Sequence, residues 1–318
     1  MNSTTPGESS SRLRSSLGDE ERIVILGATG WFGRTLTQLL SGSAQEVIYV
    51  ASYPRVLKVF GTSINVVAYD SDLIRRFEPT IVVDFAFLTR EKVAEVGLAN
   101  FLNVNEELTR QLLEVAGLPS VKKVLFTSSG AAVYPREGQP KTYEQDPYGY
   151  LKHQQESAMR LFAARSKKSV LCLRPWSVSG LSVGRPMEYA FSSLVIQALN
   201  GDVSLEAKRP VFRRYCAVED MLAIAFAIWP DPQVNEYRVL ESGGELHSLI
   251  GLAEIIVDLV GNGSKLRHSI DSHAEPDTYY SDNKSWSAGC DAAVYTPKNL
   301  KTQILESIAY FKEALESE

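Results

Sequence analysis

Short apolar runs alternate with amphipathic segments through the first half of the chain. The runs are rich in Val and Ile and too short for helices, and they lie at residues 22–26, 46–50, 64–67, 81–85, 121–127 and 169–173. Apolar residues recur with a helical period at residues 34–40, 103–116 and 148–164. Strands that are apolar on both faces and alternate with helices are typical of a parallel sheet with both faces covered. The pattern therefore predicts an α/β protein with a doubly wound parallel sheet.

The pattern loosens beyond about residue 180. Helical stretches separated by polar loops follow at residues 187–199, 220–228, 249–260 and 300–314. They predict a smaller, mixed lobe toward the C-terminus. The first twenty residues are rich in Ser, Thr, Gly and charged residues, and this composition predicts a disordered tail over residues 1–20.

Three glycines, Gly27, Gly30 and Gly33, lie between the first predicted strand and the first predicted helix. Glycines at such a turn let the backbone approach a pyrophosphate, whose charge is met by the N-terminus of the helix. A glycine trio alone is also consistent with a plain strand-to-helix turn. Its place in the first βα unit favours binding of a dinucleotide.

A tyrosine and a lysine form a candidate catalytic pair on the predicted helix 148–164. Tyr148 and Lys152 are four residues apart and therefore share one face of the helix. A phenol with a pKa near ~10 is a poor base until a nearby cation favours its phenolate. About twenty residues upstream, Ser128 and Ser129 end a predicted strand, where a hydroxyl would reach the same site. A surface tyrosine–lysine pair is the alternative, but the agreement of three separate elements favours hydride chemistry.

These features together resemble the extended branch of the short-chain dehydrogenase/reductase superfamily, and nucleotide-sugar epimerases, dehydratases and reductases in particular. The resemblance runs from about residue 22 to the C-terminus. It implies a Rossmann-type dinucleotide-binding domain over residues 21–180, which carries the catalytic residues. It also implies a substrate-binding lobe over residues 181–318, with some segments returning to the first domain.

The same resemblance assigns roles to residues of the predicted site. By this likeness Ser129 is the catalytic hydroxyl residue, with Ser128 the less favoured neighbour, and Tyr148 is the acid/base. Lys152 lowers the pKa of the tyrosine and binds the nicotinamide ribose. The residues that the likeness places at the cofactor are Gly27, Thr29, Gly30, Trp31, Phe32, Gly33, Asp70, Ser71, Phe85, Ala86, Phe87, Asn105, Tyr148, Lys152 and Pro175.

Substrate contacts are implied in the same way for Ser129, Trp176, Ser177 and Arg213. Arg213 begins a segment that resembles the family's Arg-x-Tyr-x-x-Val-x-Asp stretch, whose leading arginine grips the substrate diphosphate. A solvated basic pair is the alternative for Arg213 and Arg214, and the matching register favours the functional role. Asp70 matches an aspartate that faces the adenine, and its alternative is a turn residue.

The cofactor itself stays open between NAD and NADP. The family usually ends its second strand with an acidic residue that binds the ribose hydroxyls of NAD. This chain has Ala-Ser-Tyr-Pro-Arg over residues 51–55, so no carboxylate would repel a ribose phosphate. Ser52 and Arg55 are then candidate contacts for such a phosphate, although Arg55 is equally consistent with a solvated loop.

Two departures from the motifs of the family narrow the range of reactions and substrates. Family dehydratases carry Asp-Glu directly after the catalytic hydroxyl residue, whereas Gly130 and Ala131 follow Ser129 here, so dehydration by that route is disfavoured. The family's asparagine near Ser177 is missing, as is its second phosphate-binding arginine near residues 274–277. The identity of the sugar nucleotide is therefore less constrained than the hydride chemistry.

Composition excludes several other classes. The formal net charge is −5, which disfavours a nucleic-acid partner. The three cysteines are far apart and the four histidines lack ligand spacing, so neither a disulfide framework nor a metal site is predicted. Without an apolar span or a secretory signal, we expect a cytoplasmic protein with no membrane partner. The resemblance implies a homodimer formed through the helices predicted at 103–116 and 148–164.

Three hypotheses follow from the sequence. The first is an NAD(P)-dependent, epimerase-like enzyme acting on a nucleotide sugar by transient hydride transfer, with no net redox change. The second is an NADPH-dependent keto-sugar reductase, which the missing carboxylate would suit. The third is a non-catalytic dinucleotide sensor on the same fold, which ranks last because both Tyr148 and Lys152 are retained.

Overall fold

The computed structural model describes residues 7–59, 61–133, 142–229 and 236–316, without the side chain of Glu316. The chain forms two compact units. The first ends at Pro175 and regains Leu222–Leu240, and the second contains Trp176–Met221 and the chain from Glu241 onward. The division after Pro175 lies near the point where the sequence pattern loosens.

The first unit is built on one large sheet. Its strands are β1 (Arg22–Leu26), β2 (Glu46–Ala51), β3 (Arg55–Val59), β4 (Thr62–Ala68), β5 (Ile81–Asp84), β6 (Lys123–Thr127), β7 (Ser169–Arg174) and β11 (Tyr237–Glu241). Its helices are α1 (Glu8–Ser15), α2 (Trp31–Leu40), α3 (Ser71–Phe77), α4 (Lys92–Val96), α5 (Leu98–Ala116), α6 (Pro147–Ser166) and most of α8 (Val218–Ala227). A 3₁₀ helix spans Gly130–Ala132.

The strand order in this sheet is β11-β7-β6-β5-β1-β2-β4-β3. Strands β4, β2, β1, β5, β6 and β7 pair in parallel, and β3 is antiparallel to β4. The chain runs outward from β1 in one direction and then returns to β5 on its other side. This reversal is the topological switch point at which α/β proteins of this type bind ligands, so the predicted Rossmann-type fold is confirmed.

One face of the sheet packs under two helices. Parallel register aligns Val24, Val82, Val124 and Val170, all fully buried, in one row across four strands. Leu112 and Val115 of α5, together with Met159 of α6, close the same core. The strands are almost wholly apolar because helices shield the sheet from water.

The prediction of a disordered tail is wrong for residues 8–15, which form α1. Leu13 on this helix is fully buried. Arg14 Nε donates to the carbonyl oxygen of Leu39 at 2.9 Å, and Arg14 also bonds the carbonyl of Ser41, both at the end of α2. A cation there satisfies free carbonyls and opposes the negative end of the helix dipole. The remainder of the predicted tail before residue 7 lies outside the described residues.

The second unit contains two small sheets, four complete α-helices and a 3₁₀ helix (Pro186–Glu188) among its described residues. Its strands are β8 (Val178–Ser179), β9 (Val203–Leu205), β10 (Phe212–Ala217), β12 (Glu245–Ser248) and β13 (Leu266–His268), in the orders β12-β10-β8 and β13-β9. Its helices are α7 (Ala190–Asn200), α9 (Leu249–Val260), α10 (Lys284–Ala293) and α11 (Leu300–Glu316). Buried Asp220 accepts from the Tyr295 hydroxyl at 2.7 Å and from the Lys298 amide at 2.7 Å, which joins β10 and α8 to the segment before α11.

Candidate active site

The glycine turn after β1 is tightly packed. The amides of Gly27 and Ala28 both donate to the carbonyl of Val50, at 2.9 and 3.0 Å. A Cβ on Gly27 would lie 2.5 Å from the amide nitrogen of Ala86, and the φ angle of Gly27 is +76°. A Cβ on Gly33 would lie 2.4 Å from the carbonyl oxygen of Gly27. Gly27 and Gly33 are therefore required by contacts within the protein itself.

Gly30 has no comparable internal requirement. It is exposed, its φ of −74° suits any residue, and an added Cβ would meet only the Gly27 carbonyl oxygen, at 3.4 Å. It is also the N-cap of α2, a position that usually carries Ser, Thr, Asp or Asn. A glycine here provides no side-chain cap to α2, and a helix N-terminus of this kind suits the pyrophosphate of a dinucleotide.

The segment after β5 lies against the glycine turn. The ring centroid of Phe85 is 5.7 Å from that of Phe32. Asn105 on α5 is fully buried, and its Oδ1 accepts from the Leu88 amide at 2.7 Å. In this structure Asn105 holds the backbone beside the predicted cofactor residues Phe85, Ala86 and Phe87.

The second strand ends beside the glycine turn, because Val50 bonds both Gly27 and Ala28. Arg55 is the first residue of β3, so the predicted strand 64–67 is one arm of a hairpin and Arg55 does not lie in a solvated loop. Its Cζ lies 3.9 Å from the ring centroid of Tyr53. Among the described residues, its buried Nε has no hydrogen-bond partner. Ser52 is exposed in the same turn.

Asp70 and Ser71 lie at the start of α3. Asp70 Oδ1 accepts from the amides of Asp72 and Leu73, at 2.9 and 3.0 Å, as the N-cap of this helix. Ser71 is its first residue. The side chain of Asp70 thus has a structural use, in addition to the adenine contact that the resemblance implies.

The start of α6, the helix that carries Tyr148, is defined by the residues at its N-terminus. Asp146 is its N-cap and accepts from the Gly149 amide at 3.1 Å, and Pro147 occupies its first position. The ring of Tyr148 meets that of Phe87 edge-on, with centroids 5.8 Å apart. Arg90 bonds both carboxylate oxygens of Asp146 at 3.2 Å, and its Cζ is 5.8 Å from the Tyr148 ring centroid.

Lys152 points into the first unit. It is 3% exposed, and its Nζ donates to the Thr127 carbonyl at 2.6 Å and to Gln155 Oε1 at 3.0 Å. The same nitrogen lies 3.5 Å from the ring centroid of Phe87. Burial lowers the pKa of Lys152, and the charge of Asp84 opposes that shift. Phe87 therefore contacts both members of the predicted tyrosine–lysine pair.

The two serines after β6 differ sharply. Ser128 is 1% exposed and its hydroxyl donates to Glu156, whose carboxylate also binds Arg174 Nη2 at 2.6 Å and Nε at 3.0 Å. Ser129 accepts from the Ala131 amide at 3.2 Å and starts the 3₁₀ helix Gly130–Ala132. The hydroxyl of Ser128 is hydrogen-bonded to the buried Arg174–Glu156 ion pair. This favours Ser129 over Ser128 as the reactive hydroxyl.

Of the predicted substrate residues, Ser129 lies in the first unit, and Trp176, Ser177 and Arg213 lie in the second. Arg213 Nη1 donates to Asp277 Oδ1 at 2.8 Å and to the Phe212 carbonyl at 2.8 Å. Although burial opposes the effect, the hydrogen bond and charge of Arg213 lower the pKa of Asp277. If Arg213 bound a diphosphate, its guanidinium would be shared between the diphosphate and the Asp277 carboxylate.

The other predicted residues near this segment have separate contacts. The ring centroid of Trp176 lies 4.9 Å from that of Tyr279, and Ser177 is half-buried. Pro175, in the first unit, accepts from the Gly130 amide at 2.8 Å.

Sequence reasoning missed three residues of this site: Asp84, Arg90 and Asp146. Asp84 could have been identified from the sequence, because a carboxylate at the end of an otherwise apolar strand needs a hydrogen-bond or charge partner. Asp146 directly before Pro147 is a helix-start signature. Arg90 had no local signal, since its partner lies 56 positions away along the chain.

We expect Gly149→Ala to destabilise the protein by about 1–2 kcal/mol. Alanine is intrinsically favoured over glycine in helices by about 1 kcal/mol. Here, however, the added Cβ would lie 2.5 Å from Asp146 Oδ2 and 2.7 Å from the Ala131 carbonyl oxygen, so overpacking outweighs propensity. Urea unfolding measures the loss. Gly184→Ala, whose Cβ meets nothing within 4 Å, is the matched control; equal stability of both variants would contradict the expectation.

The fold and the glycine turn define a Rossmann-type α/β protein. Residues 23–239 match the NAD dependent epimerase/dehydratase family. This match covers well over half of the chain, so the protein belongs to that family and is one of its enzymes. Comparison with curated protein sequences gives no significant match.

Solved structures of epimerases share the fold. The epimerase Mth375 from Methanothermobacter thermautotrophicus is 19% identical, with 97% of this chain and 96% of that chain covered and a TM-score of 0.73. UDP-glucose 4-epimerase from Brucella ovis, solved with NAD, is 16% identical, with coverage of 92% and 98% and a TM-score of 0.73. UDP-glucose 4-epimerase from Thermotoga maritima, solved with UDP-glucose, is 20% identical, with coverage of 92% and 99% and a TM-score of 0.72. At these identities the likeness establishes the fold.

Two further observations concern the described part of the chain. No helix there is both long and apolar enough to cross a membrane. No group of three or more His, Cys, Asp or Glu side chains there is arranged to hold a metal ion.

Proposed function

We propose that the protein is an epimerase-like enzyme that acts on a nucleotide sugar with bound NAD or NADP. Membership of the epimerase/dehydratase family supports this, as do the neighbours solved with NAD and UDP-glucose. The observation that carries the proposal is the contact of Phe87 with both Tyr148 and Lys152, on the segment that packs against the glycine turn. This contact links the predicted acid/base to the predicted dinucleotide site.

In the proposed reaction, Tyr148 as phenolate removes the proton of a sugar hydroxyl. A dinucleotide held at the glycine turn would supply the hydride acceptor and donor for the carbon that bears this hydroxyl, so that a hydride returned to the opposite face would invert that carbon. Tyr148 gives the proton back to the same oxygen, and the return of the hydride leaves no net redox change. Ser129 donates a hydrogen bond to that oxygen, and the ammonium of Lys152 favours the phenolate. Trp176, Ser177 and Arg213 are assigned to the rest of the substrate.

The proposal is tested first by cofactor content and then by turnover. Mass spectrometry of the purified protein would identify any retained dinucleotide. Incubation with UDP-glucose and with UDP-N-acetylglucosamine, followed by NMR of the sugar, would detect an inverted carbinol without net consumption of cofactor. A folded protein that binds neither NAD nor NADP in titration would contradict the proposal.

The hairpin after β2 supports NADP as the cofactor. Residues 51–55 carry no carboxylate, and Arg55 presents a guanidinium whose buried Nε has no partner among the described residues. Such a group suits a ribose phosphate. The same observation supports the second candidate function, an NADPH-dependent keto-sugar reductase. Stoichiometric loss of NADPH absorbance during turnover would identify the reductase.

We expect Arg55→Ala to raise the Kd for NADPH roughly 10- to 100-fold, because a charged hydrogen bond to the phosphate is lost. The Kd for NADH should stay nearly constant, since NADH lacks that phosphate. Fluorescence of the bound reduced cofactor measures both constants. Lys58→Ala removes an exposed cation from the same strand and serves as the control. An equal loss of NADH and NADPH affinity would show that Arg55 does not select the cofactor.

A further inference from the structure

A buried carboxylate with no assigned role lies at the end of β5. Asp84 is 2% exposed, and parallel register places it in one row between Leu26 and Phe126, with Cys172 beyond. Those three neighbours are buried and apolar. Asp84 Oδ1 accepts from the Ala86 amide at 3.0 Å. One backbone hydrogen bond does not offset the desolvation of a carboxylate, so an ionised Asp84 needs a compensating cation.

Lys152 is the candidate cation, because its ammonium lies beside this row of residues. Helix α6 covers the face of the sheet to which this row belongs, since Met159 of α6 packs in the same core as Leu26 and Phe126. The Nζ of Lys152 donates to the carbonyl of Thr127, which directly follows the register partner of Asp84. The aromatic face of Phe87, three residues after Asp84, lies over the same ammonium.

The directions of the pKa shifts of Asp84 and Lys152 agree with this placement. Burial raises the pKa of Asp84, and the charge of Lys152 opposes the rise. Burial lowers the pKa of Lys152, and the opposing influences are, in order, the charges of Asp84, Cys172 and Glu156. Cys172 is a buried thiol whose own pKa burial raises, and Glu156 is already paired with Arg174. Asp84 is therefore the strongest of the anionic influences that oppose the loss of charge on Lys152.

We propose that Asp84 is a positioning residue, whose carboxylate holds Lys152 in the ammonium form and so maintains the positive charge that the Tyr148 phenolate needs. The role of the pair in turnover rests on the proposed function, whereas the pair itself does not. Asp84 touches neither substrate nor reacting atoms in this scheme. It acts only through Lys152.

The direction of the pH shift expected for Asp84→Asn follows from the negative charge of Asp84 and the positive charge of Lys152. Asp84→Asn removes the anion that raises the pKa of Lys152, so this pKa falls further and the ammonium is lost at a lower pH. The alkaline limb of the rate profile should therefore move to lower pH, by roughly 1 to 3 pH units. Asp84→Glu keeps the carboxylate and should restore the profile toward that of the wild-type protein.

The charge on Lys152 is measurable without substrate. In protein labelled with ¹³C at the lysine Cε, the Lys152 signal is assigned by its absence in Lys152→Arg and is titrated by NMR. We expect its midpoint to fall in Asp84→Asn by the same interval as the alkaline limb. Asp220→Asn is the matched control, because Asp220 is also buried and hydrogen-bonded but lies in the second unit. It should leave the Lys152 midpoint unchanged.

An unchanged Lys152 midpoint and rate profile in Asp84→Asn would overturn the proposal. If that variant does not fold, the carboxyl ¹³C signal of Asp84 in the wild-type protein decides. An ionised Asp84 at neutral pH supports the proposal, and a carboxyl that stays protonated through neutral pH overturns it. A shifted midpoint in a protein that binds no dinucleotide would retain the pair and refute the proposed function.

Discussion

Tyr148→Phe should lower turnover roughly 10²- to 10⁴-fold while the protein still folds and still binds its dinucleotide. The substitution removes only the hydroxyl that exchanges a proton with the sugar. The edge-on contact of the ring with Phe87, at 5.8 Å between centroids, needs no hydroxyl and is retained. The rate is measured with the nucleotide sugar that the wild-type protein converts, and the Kd of the dinucleotide is measured by fluorescence.

Tyr150→Phe provides the comparison for this variant. Tyr150 lies on the same helix, two residues further on, and its ring is 6.0 Å from that of Tyr143. The loss of its hydroxyl should leave turnover within a few-fold of the wild-type rate. If Tyr148→Phe retained the full rate, or if both variants lost it equally, Tyr148 would not be the acid/base.

Glu156→Gln should destabilise the first unit by about 3–5 kcal/mol, because it leaves the guanidinium of Arg174 buried without a counter-charge. The side chains of Arg174 and Glu156 are only 11% and 5% exposed, and two nitrogens of Arg174 contact the carboxylate. Ser128 also donates to Glu156, so the change reaches the residue next to Ser129. Urea unfolding, followed by far-UV circular dichroism, measures the loss.

The control for this variant is Glu107→Gln. Glu107 pairs with Arg110 on the surface of α5, where water screens the interaction. Its removal should leave the unfolding midpoint unchanged. Equal unfolding midpoints for Glu156→Gln and Glu107→Gln would show that the buried pair does not stabilise this region of the fold.

The tyrosine–lysine pair and the glycine turn could be predicted because their signals are local. Four residues on a helix place Tyr148 and Lys152 on one face whatever the rest of the chain does. Likewise, the tight turn between β1 and α2 requires glycine at positions 27 and 33, because a Cβ there would clash with the backbone. The same local patterns predicted the parallel strands around β1, since helix-covered strands are apolar throughout.

The structure decided what depends on contacts distant in sequence. Helix α1 forms in a polar segment because Leu13 and Arg14 pack on α2, a gain that composition does not reveal. Arg55 lies on a strand because β3 pairs with β4, and the sequence between residues 51 and 64 was consistent with a loop. Tertiary pairing overrode weak local propensity in both places.

The class of fold and the candidate groups of the site could be predicted from the sequence alone, because strand pattern, glycine spacing and helical periodicity act over a few residues. The partners and burial of those groups, in contrast, depend on packing between segments that are distant in sequence. Ser128 donates a hydrogen bond to Glu156, and the charge of Asp84 acts on Lys152. Burial and pairing set the charge state of a side chain, and both arise only when distant segments pack together.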